Sequence, residues 1–202
     1  FDIHGWNLTI DDTSGTVDIL RNGKPVVRHS VASWSHNGDT ISMADCTSHK
    51  IRINDGDGVL GKHKSVTISG RKGGSSVCQT INFYPGRDYI TTELSVSSPE
   101  NVTTGYMAPI AVTDNFQAFD RTGNYAVFIP YDNDAWVRYR NTPFGENIPE
   151  SYEVTALVNA DTREGIVIGS IEHDVWKTGI KVASDNRCGI DTLISYGGIA
   201  TP

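Results

Sequence analysis

The stretch Tyr89-Ile90-Thr91-Thr92-Glu93-Leu94-Ser95-Val96-Ser97 decides the fold class of this chain. Ile90, Leu94 and Val96 fall on one side of an extended backbone, while Thr91, Glu93, Ser95 and Ser97 fall on the other. Successive side chains of a strand point to opposite faces, so this alternation predicts a strand with one apolar and one wet face. Runs of the same kind recur at Thr16–Leu20, Val26–Trp34, Lys50–Ile53, Ser65–Ser69, Val77–Tyr84, Ala126–Pro130, Trp136–Arg140, Tyr152–Val158, Gly165–Ser170 and Trp176–Val182. Each is bounded by Gly, Asn, Asp or Pro, the residues that punctuate strands. Arg21-Asn22-Gly23-Lys24 predicts a hairpin, because Asn-Gly accepts φ > 0 at both central positions. Pro85-Gly86 and Asn54-Asp55-Gly56-Asp57-Gly58 predict further turns. The basic stretch Lys62–Lys72 reads as a solvated hairpin, and 113–124 and 141–150 as long loops. No window of a dozen residues carries a helical repeat.

So many strands exceed a small immunoglobulin-like sandwich, which needs only about 100 residues. Each sheet must bury one face against another, so the sequence predicts an all-β fold: one domain over residues 1–202, built as a large two-sheet antiparallel sandwich. At 202 residues such a chain buries roughly 70% of its unfolded surface.

The net charge of −7 argues against nucleic acid as a partner, since that binding draws on Lys and Arg neutralising phosphates. No apolar run approaches the roughly 20 residues that span a bilayer, so no membrane partner is expected. The chain starts at Phe1 with no signal-peptide pattern, which suggests processing or excision from a longer chain. Cys46, Cys78 and Cys188 are an odd set without C-x-x-C spacing, so neither a thiol redox motif nor a zinc knuckle is expected.

Phe128-Ile-Pro-Tyr-Asp-Asn-Asp-Ala-Trp-Val-Arg-Tyr-Arg140 is the main polar concentration. It combines Asp132, Asn133, Asp134, Arg138 and Arg140 with Tyr131, Trp136 and Tyr139. Sugars are bound by such mixtures: rings cover apolar C–H surfaces while carboxylates, amides and guanidinium groups hydrogen-bond hydroxyls. Asp132-Asn133-Asp134 looks like half a calcium loop, but no Gly or Glu follows at the required spacing, and no metal is expected. Ile171-Glu172-His173-Asp174-Val175-Trp176-Lys177 is the second concentration. On a strand, however, Glu172 and Asp174 face away from His173 and do not make a dyad with it. Nucleophile-elbow and phosphate-loop motifs are missing, and no cofactor is expected.

Several phrases resemble the N-terminal β-supersandwich of glycoside hydrolase family 36-type enzymes, the α-galactosidase and raffinose-synthase group. They are Gln79–Ile90, Tyr106–Ile110, Phe128–Trp136, Ser151–Ala156 and Gly169–Gly179, in a plausible order over about half the chain. The resemblance implies a galactose-mutarotase-like supersandwich. In that family a (β/α)8 barrel follows and carries the two catalytic aspartates. Here no Lys-x-Asp triplet of the nucleophile type occurs. Asp132 and Asp134 would share one face of one element, whereas retaining hydrolysis needs carboxyls on opposite sides of the scissile bond, about 5–5.5 Å apart. No catalytic residue is therefore assigned. The resemblance implies the non-catalytic N-terminal accessory domain of an α-galactosidase-like enzyme, with the barrel as its partner and a galactoside-like carbohydrate as ligand. The residues expected at substrate or at the domain interface are Asp132, Asn133, Asp134, Trp136, Arg138, His173 and Trp176.

Two alternatives stay open. One is a stand-alone carbohydrate-binding module with an exposed ring platform drawn from Trp6, Trp34, Trp136 and Trp176. The other is a mutarotase-like epimerase using His173 with Glu172, or one of His29, His36, His49 and His63. An extracytoplasmic location fits glycan scavenging and a chain start consistent with signal removal.

Overall fold

The computed structural model describes residues 1–112, 123–131, 137–172, 176–182 and 190–197. Seventeen strands lie within them, all paired antiparallel, and the only helical element is the 3-10 turn Met43–Asp45. In chain order they are β1 (Asp2–Ile3), β2 (Trp6–Ile10), β3 (Val17–Arg21), β4 (Lys24–His36), β5 (Asp39–Ser42), β6 (His49–Gly58), β7 (Gly61–Lys72), β8 (Ser75–Phe83) and β9 (Ile90–Ser97). They continue as β10 (Met107–Val112), β11 (Asn124–Phe128), β12 (Arg140–Pro143), β13 (Ser151–Tyr152), β14 (Val154–Asn159), β15 (Gly165–Gly169), β16 (Trp176–Val182) and β17 (Ile190–Gly197). The all-β class is the one the alternation predicts. No helix among the described residues is long and apolar enough to cross a membrane.

Hydrogen bonding sorts these strands into three sheets, where the sequence suggests two. A nine-stranded sheet runs β1-β2-β3-β4-β10-β17-β16-β13, with β5 also on β4. The meander β6-β7-β8-β9 and the set β12-β11-β14-β15 form two four-stranded sheets. All three feed one apolar cluster, as in a sandwich. Trp6, Leu8, Val17 and Ile19 of the large sheet meet Val66, Ile68, Val77, Ile81 and Phe83 of the meander, and Ala126 and Leu157 come from the third sheet. Trp6 and Phe83 rings lie 6.3 Å apart across the layers.

The long strand β4 is the hub. Ser30 pairs with both Val17 and Val112, and Trp34 with both Met107 and Ile41, so β3 and β5 follow one another along one edge while β10 holds the other. A strand this long would twist out of register, and bulges absorb the mismatch. One lies at His29, whose backbone is left-handed (φ 51) and whose N–H is taken by the Asp18 carboxylate at 2.8 Å. Another lies on β10 at Pro109, which lacks an N–H for the ladder. The Pro109 carbonyl accepts from the buried Gln79 Nε2 at 2.6 Å, tying β10 to β8 across the interior.

Asn22 and Gly23 (φ 51 and 78) turn β3 into β4 as expected. Asn54–Gly58 does not turn. It is paired along β6, and the reversal comes at Val59-Leu60, closed by Gly61 at φ 97. Lys62–Lys72 is likewise not a hairpin but most of β7, an interior strand of the meander that buries Val66, Ile68 and Gly70 on alternate positions. Of the expected strand Trp136–Arg140, Trp136 lies outside the described residues, 137–139 are irregular and β12 starts only at Arg140. The expected 113–124 loop falls mostly outside the described residues, and its last residue, Asn124, opens β11.

The 3-10 turn is held by a capping box in which Asp45 Oδ2 accepts from Ser42 N (2.8 Å) and Oγ (2.9 Å). These bonds, the backbone one first, hold the Asp45 carboxyl below its ordinary 3.8. Burial pushes the Cys46 thiol up, so it stays protonated and inert. A depressed acid stabilises the fold fully above its unfolded value, and that contribution is lost as pH falls through the folded one. The Ser42 amide signal should therefore move with an apparent pKa beneath 3.8 in an acid titration, and one at or above that value would remove the box from the account. At Gly70 a Cβ would meet Cys46 Cβ and Sγ at 2.8 Å and Met43 Sδ at 2.9 Å. Gly70→Ala should cost about 1–3 kcal/mol in urea unfolding through overpacking; a neutral result would mean that the turn yields.

Candidate functional site

The two polar concentrations of the sequence sit in two connections. The first joins β11 to β12, whose end residues Phe128 and Arg140 are register partners. The second joins β15 to β16. Asp132, Asn133, Asp134, Trp136 and His173 lie outside the described residues. Arg138 is exposed and Trp176, the first residue of β16, is half-buried.

What the structure brings together is the flank of each connection. Tyr131, 58% exposed, stands edge-on to Tyr152 with ring centroids 5.0 Å apart. Lys177, the residue after Trp176, sets its Nζ 4.6 Å from the Tyr131 ring centroid. The same ammonium lies 3.9 Å from the Glu153 carboxylate, whose Oε2 accepts from Ser170 Oγ at 2.7 Å. On the other flank the Arg140 guanidinium lies 5.6 Å from the Phe128 ring centroid. Two exposed tyrosines, Tyr131 and Tyr139 at 58% and 56%, thus border the connection that holds residues 132–136.

The backbone explains why these side chains meet. Ser151-Tyr152 pairs with β16 in the large sheet, and the next strand, β14, pairs with β11 and β15 in the small one. The chain switches sheets at Glu153, which takes a left-handed backbone (φ 67) that a non-glycine residue adopts only at some cost. The corner is over-determined. Tyr152 N donates to Ile129 O (3.0 Å), Glu153 N to Thr178 O (2.8 Å) and Ser170 N to Glu153 O (2.9 Å). Ser151 Oγ and Thr155 Oγ1 both donate to Val127 O, at 3.2 and 2.7 Å. A corner carrying two edge-to-face rings, a cation and an anion offers an aromatic face beside hydrogen-bonding groups of both signs.

Tyr131 and Lys177 belong to the segments that the sequence singles out, but their contact spans the sheet corner and leaves no local pattern. Tyr152 and Glu153 read as ordinary strand residues. Of the tryptophans, Trp6 and Trp34 are core rings at 4% and 1% exposure and form no exposed platform. Among the histidines, His49 ring nitrogens face the Asp12 and Met43 carbonyls (3.0 and 2.8 Å), and His63 Nδ1 faces Gly61 O (2.9 Å). No group of three or more His, Cys, Asp or Glu among the described residues is placed to hold a metal ion. No family model and no curated protein matches this chain.

Partly exposed cation–π pairs contribute about 0.5–1 kcal/mol. A double-mutant cycle of Tyr131→Leu and Lys177→Met in urea unfolding should return a coupling of that size, and additivity would show that the two merely lie near each other.

Proposed function

We propose that this chain is a non-catalytic accessory domain of a carbohydrate-active enzyme, an α-galactosidase-like glycoside hydrolase whose catalytic barrel belongs to another part of the protein. In this reading it is an N-terminal supersandwich that works outside the cytoplasm. It supports the barrel and helps to shape its sugar site through the Tyr131–Lys177 corner. The observation that carries the reading is the exposed Tyr131 ring, backed edge-on by Tyr152 and flanked by Lys177 and Glu153. An aromatic face with a neighbouring cation and carboxylate is the complement of a pyranose, which offers axial C–H groups on one face and hydroxyls around its rim. Asp132, Asn133, Asp134 and Trp136 are assigned to the same sugar or barrel contact because Tyr131 leads directly into them. Arg138, His173 and Trp176 join them because they lie in, or at the end of, the two connections that the Tyr131–Lys177 contact draws together.

The test is calorimetric titration of the chain with methyl α-D-galactoside and methyl α-D-glucoside. Binding in the millimolar range, weakened about tenfold or more by Tyr131→Ala, supports the reading. Binding that Tyr131→Ala leaves unaltered moves the site elsewhere, and no heat with either glycoside overturns a sugar contact by this domain alone.

A further inference from the structure

An exposed sheet edge offers unpaired N–H and C=O groups to another strand, and folded chains guard such edges with charges, prolines or shortness. Most edges here follow that rule. β6 carries Lys50, Arg52, Asp55 and Asp57, β9 carries Glu93, and β12 carries Arg140 and Pro143. β5 opens on Asp39, and β1 and β13 are two residues long. β15, at the end of the third sheet, has none of these devices: it reads Gly165-Ile-Val-Ile-Gly169.

Its inner side is fixed. Ile166 and Ile168 pack against the core, and every residue of the strand has a register partner on β14. Asn159 N donates to Glu164 O and Ser170 N to Glu153 O, each at 2.9 Å. Hydrogen-bonded pairs alternate along an antiparallel ladder, so Ile166 and Ile168 bond toward β14, while Gly165, Val167 and Gly169 turn their N–H and C=O groups to the outer edge. No strand among the described residues takes up those groups. The Val167 side chain, at the centre of the edge, is 74% exposed.

Three features say what fits this edge. First, the strand reads the same in both directions. A second β15, turned about a two-fold axis at Val167, sets Gly165 against Gly169, Ile166 against Ile168 and Val167 against its own copy. The odd-numbered pairs are then placed to exchange both backbone bonds. Second, side chains keep their sides in that register: the isoleucines stay on the core side, and the two valines adjoin on the outer one. Third, the ends carry opposite charges. Arg163, in the turn before β15, and Glu172, just after it, are exposed and form no ion pair among the described residues. Antiparallel pairing brings the Arg163 end of one copy to the Glu172 end of the other, whereas parallel pairing would set Arg163 beside Arg163.

We propose that β15 is a self-association edge, through which two copies of this chain join antiparallel about Val167 into one continuous sheet. A two-fold contact uses the same edge on both copies, so assembly stops at the dimer; β12, at the far end of the sheet, is guarded by Arg140 and Pro143. The ladder to β14 preforms the edge, so little backbone order is lost on pairing. Neither the seam nor its test depends on sugar binding at the Tyr131 corner.

Sedimentation velocity of the chain between about 1 and 500 μM tests this. The parent should pass from monomer to twice the monomer mass, with a dissociation constant in the micromolar range. Val167→Lys and Val167→Glu, both at an exposed position, should each weaken association about tenfold or more, because each sets like charges face to face at the axis. An equimolar mixture of the two variants should regain the dimer, since opposite charges then meet. A parent that stays monomeric throughout overturns the proposal and leaves the edge to a different protein. It falls equally if dimers survive either substitution, which places the contact on another surface, or if the mixture stays monomeric, which denies that Val167 meets its own copy.

Discussion

Burial of one apolar face against another is the constraint on which the rest of this molecule depends. Leu8, Val17 and Ile19 on the large sheet and Val66, Ile68, Ile81 and Phe83 on the meander are all shielded from water. At about 25 cal/mol per Å² of apolar surface, separating these layers would cost far more than any surface contact could return. Gln79 is the polar exception in that interior. It sits in the apolar row of β8, fully buried, with its Nε2 donating to the carbonyl exposed by the Pro109 bulge and its Oε1 without a protein partner. The bulge in β10 and the polar residue in β8 therefore account for each other.

With the layers held, side chains from distant strands are brought together at the corner at Glu153, where the chain leaves the large sheet for the small one. A left-handed non-glycine residue survives there because backbone and hydroxyl bonds on both sides fix it, and the same bonds aim Tyr152 and Lys177 at Tyr131. The corner is an open surface made of exposed rings and paired charges.

Strand after strand was legible in the residues themselves. The alternation in Ile90–Ser97 reappears as the half-buried edge strand β9, and Asn22-Gly23 turns where its backbone preferences require. Asn54–Gly58 misleads for a physical reason. Its residues favour turns only when nothing else competes, and the ten-residue ladder with β7 supplies a hydrogen-bonded alternative. Lys62–Lys72 misleads in the opposite sense, because counting charges hides the buried alternate face of β7. The candidate site was half legible: composition drew attention to Tyr131 and Lys177, but Tyr152 and Glu153 carry no mark that separates them from any other strand pair.

Local periodicity and turn chemistry thus settled the class of this fold by sequence alone, since a two-residue repeat and a φ > 0 turn are properties of a few adjacent residues. Only the tertiary structure decided that the strands form three sheets, that Glu153 is the corner between two of them, and that Tyr131 meets Lys177 across it. Those outcomes depend on which edges pair and which faces are buried, and such choices are made between residues far apart in the chain, where no short window of sequence records them.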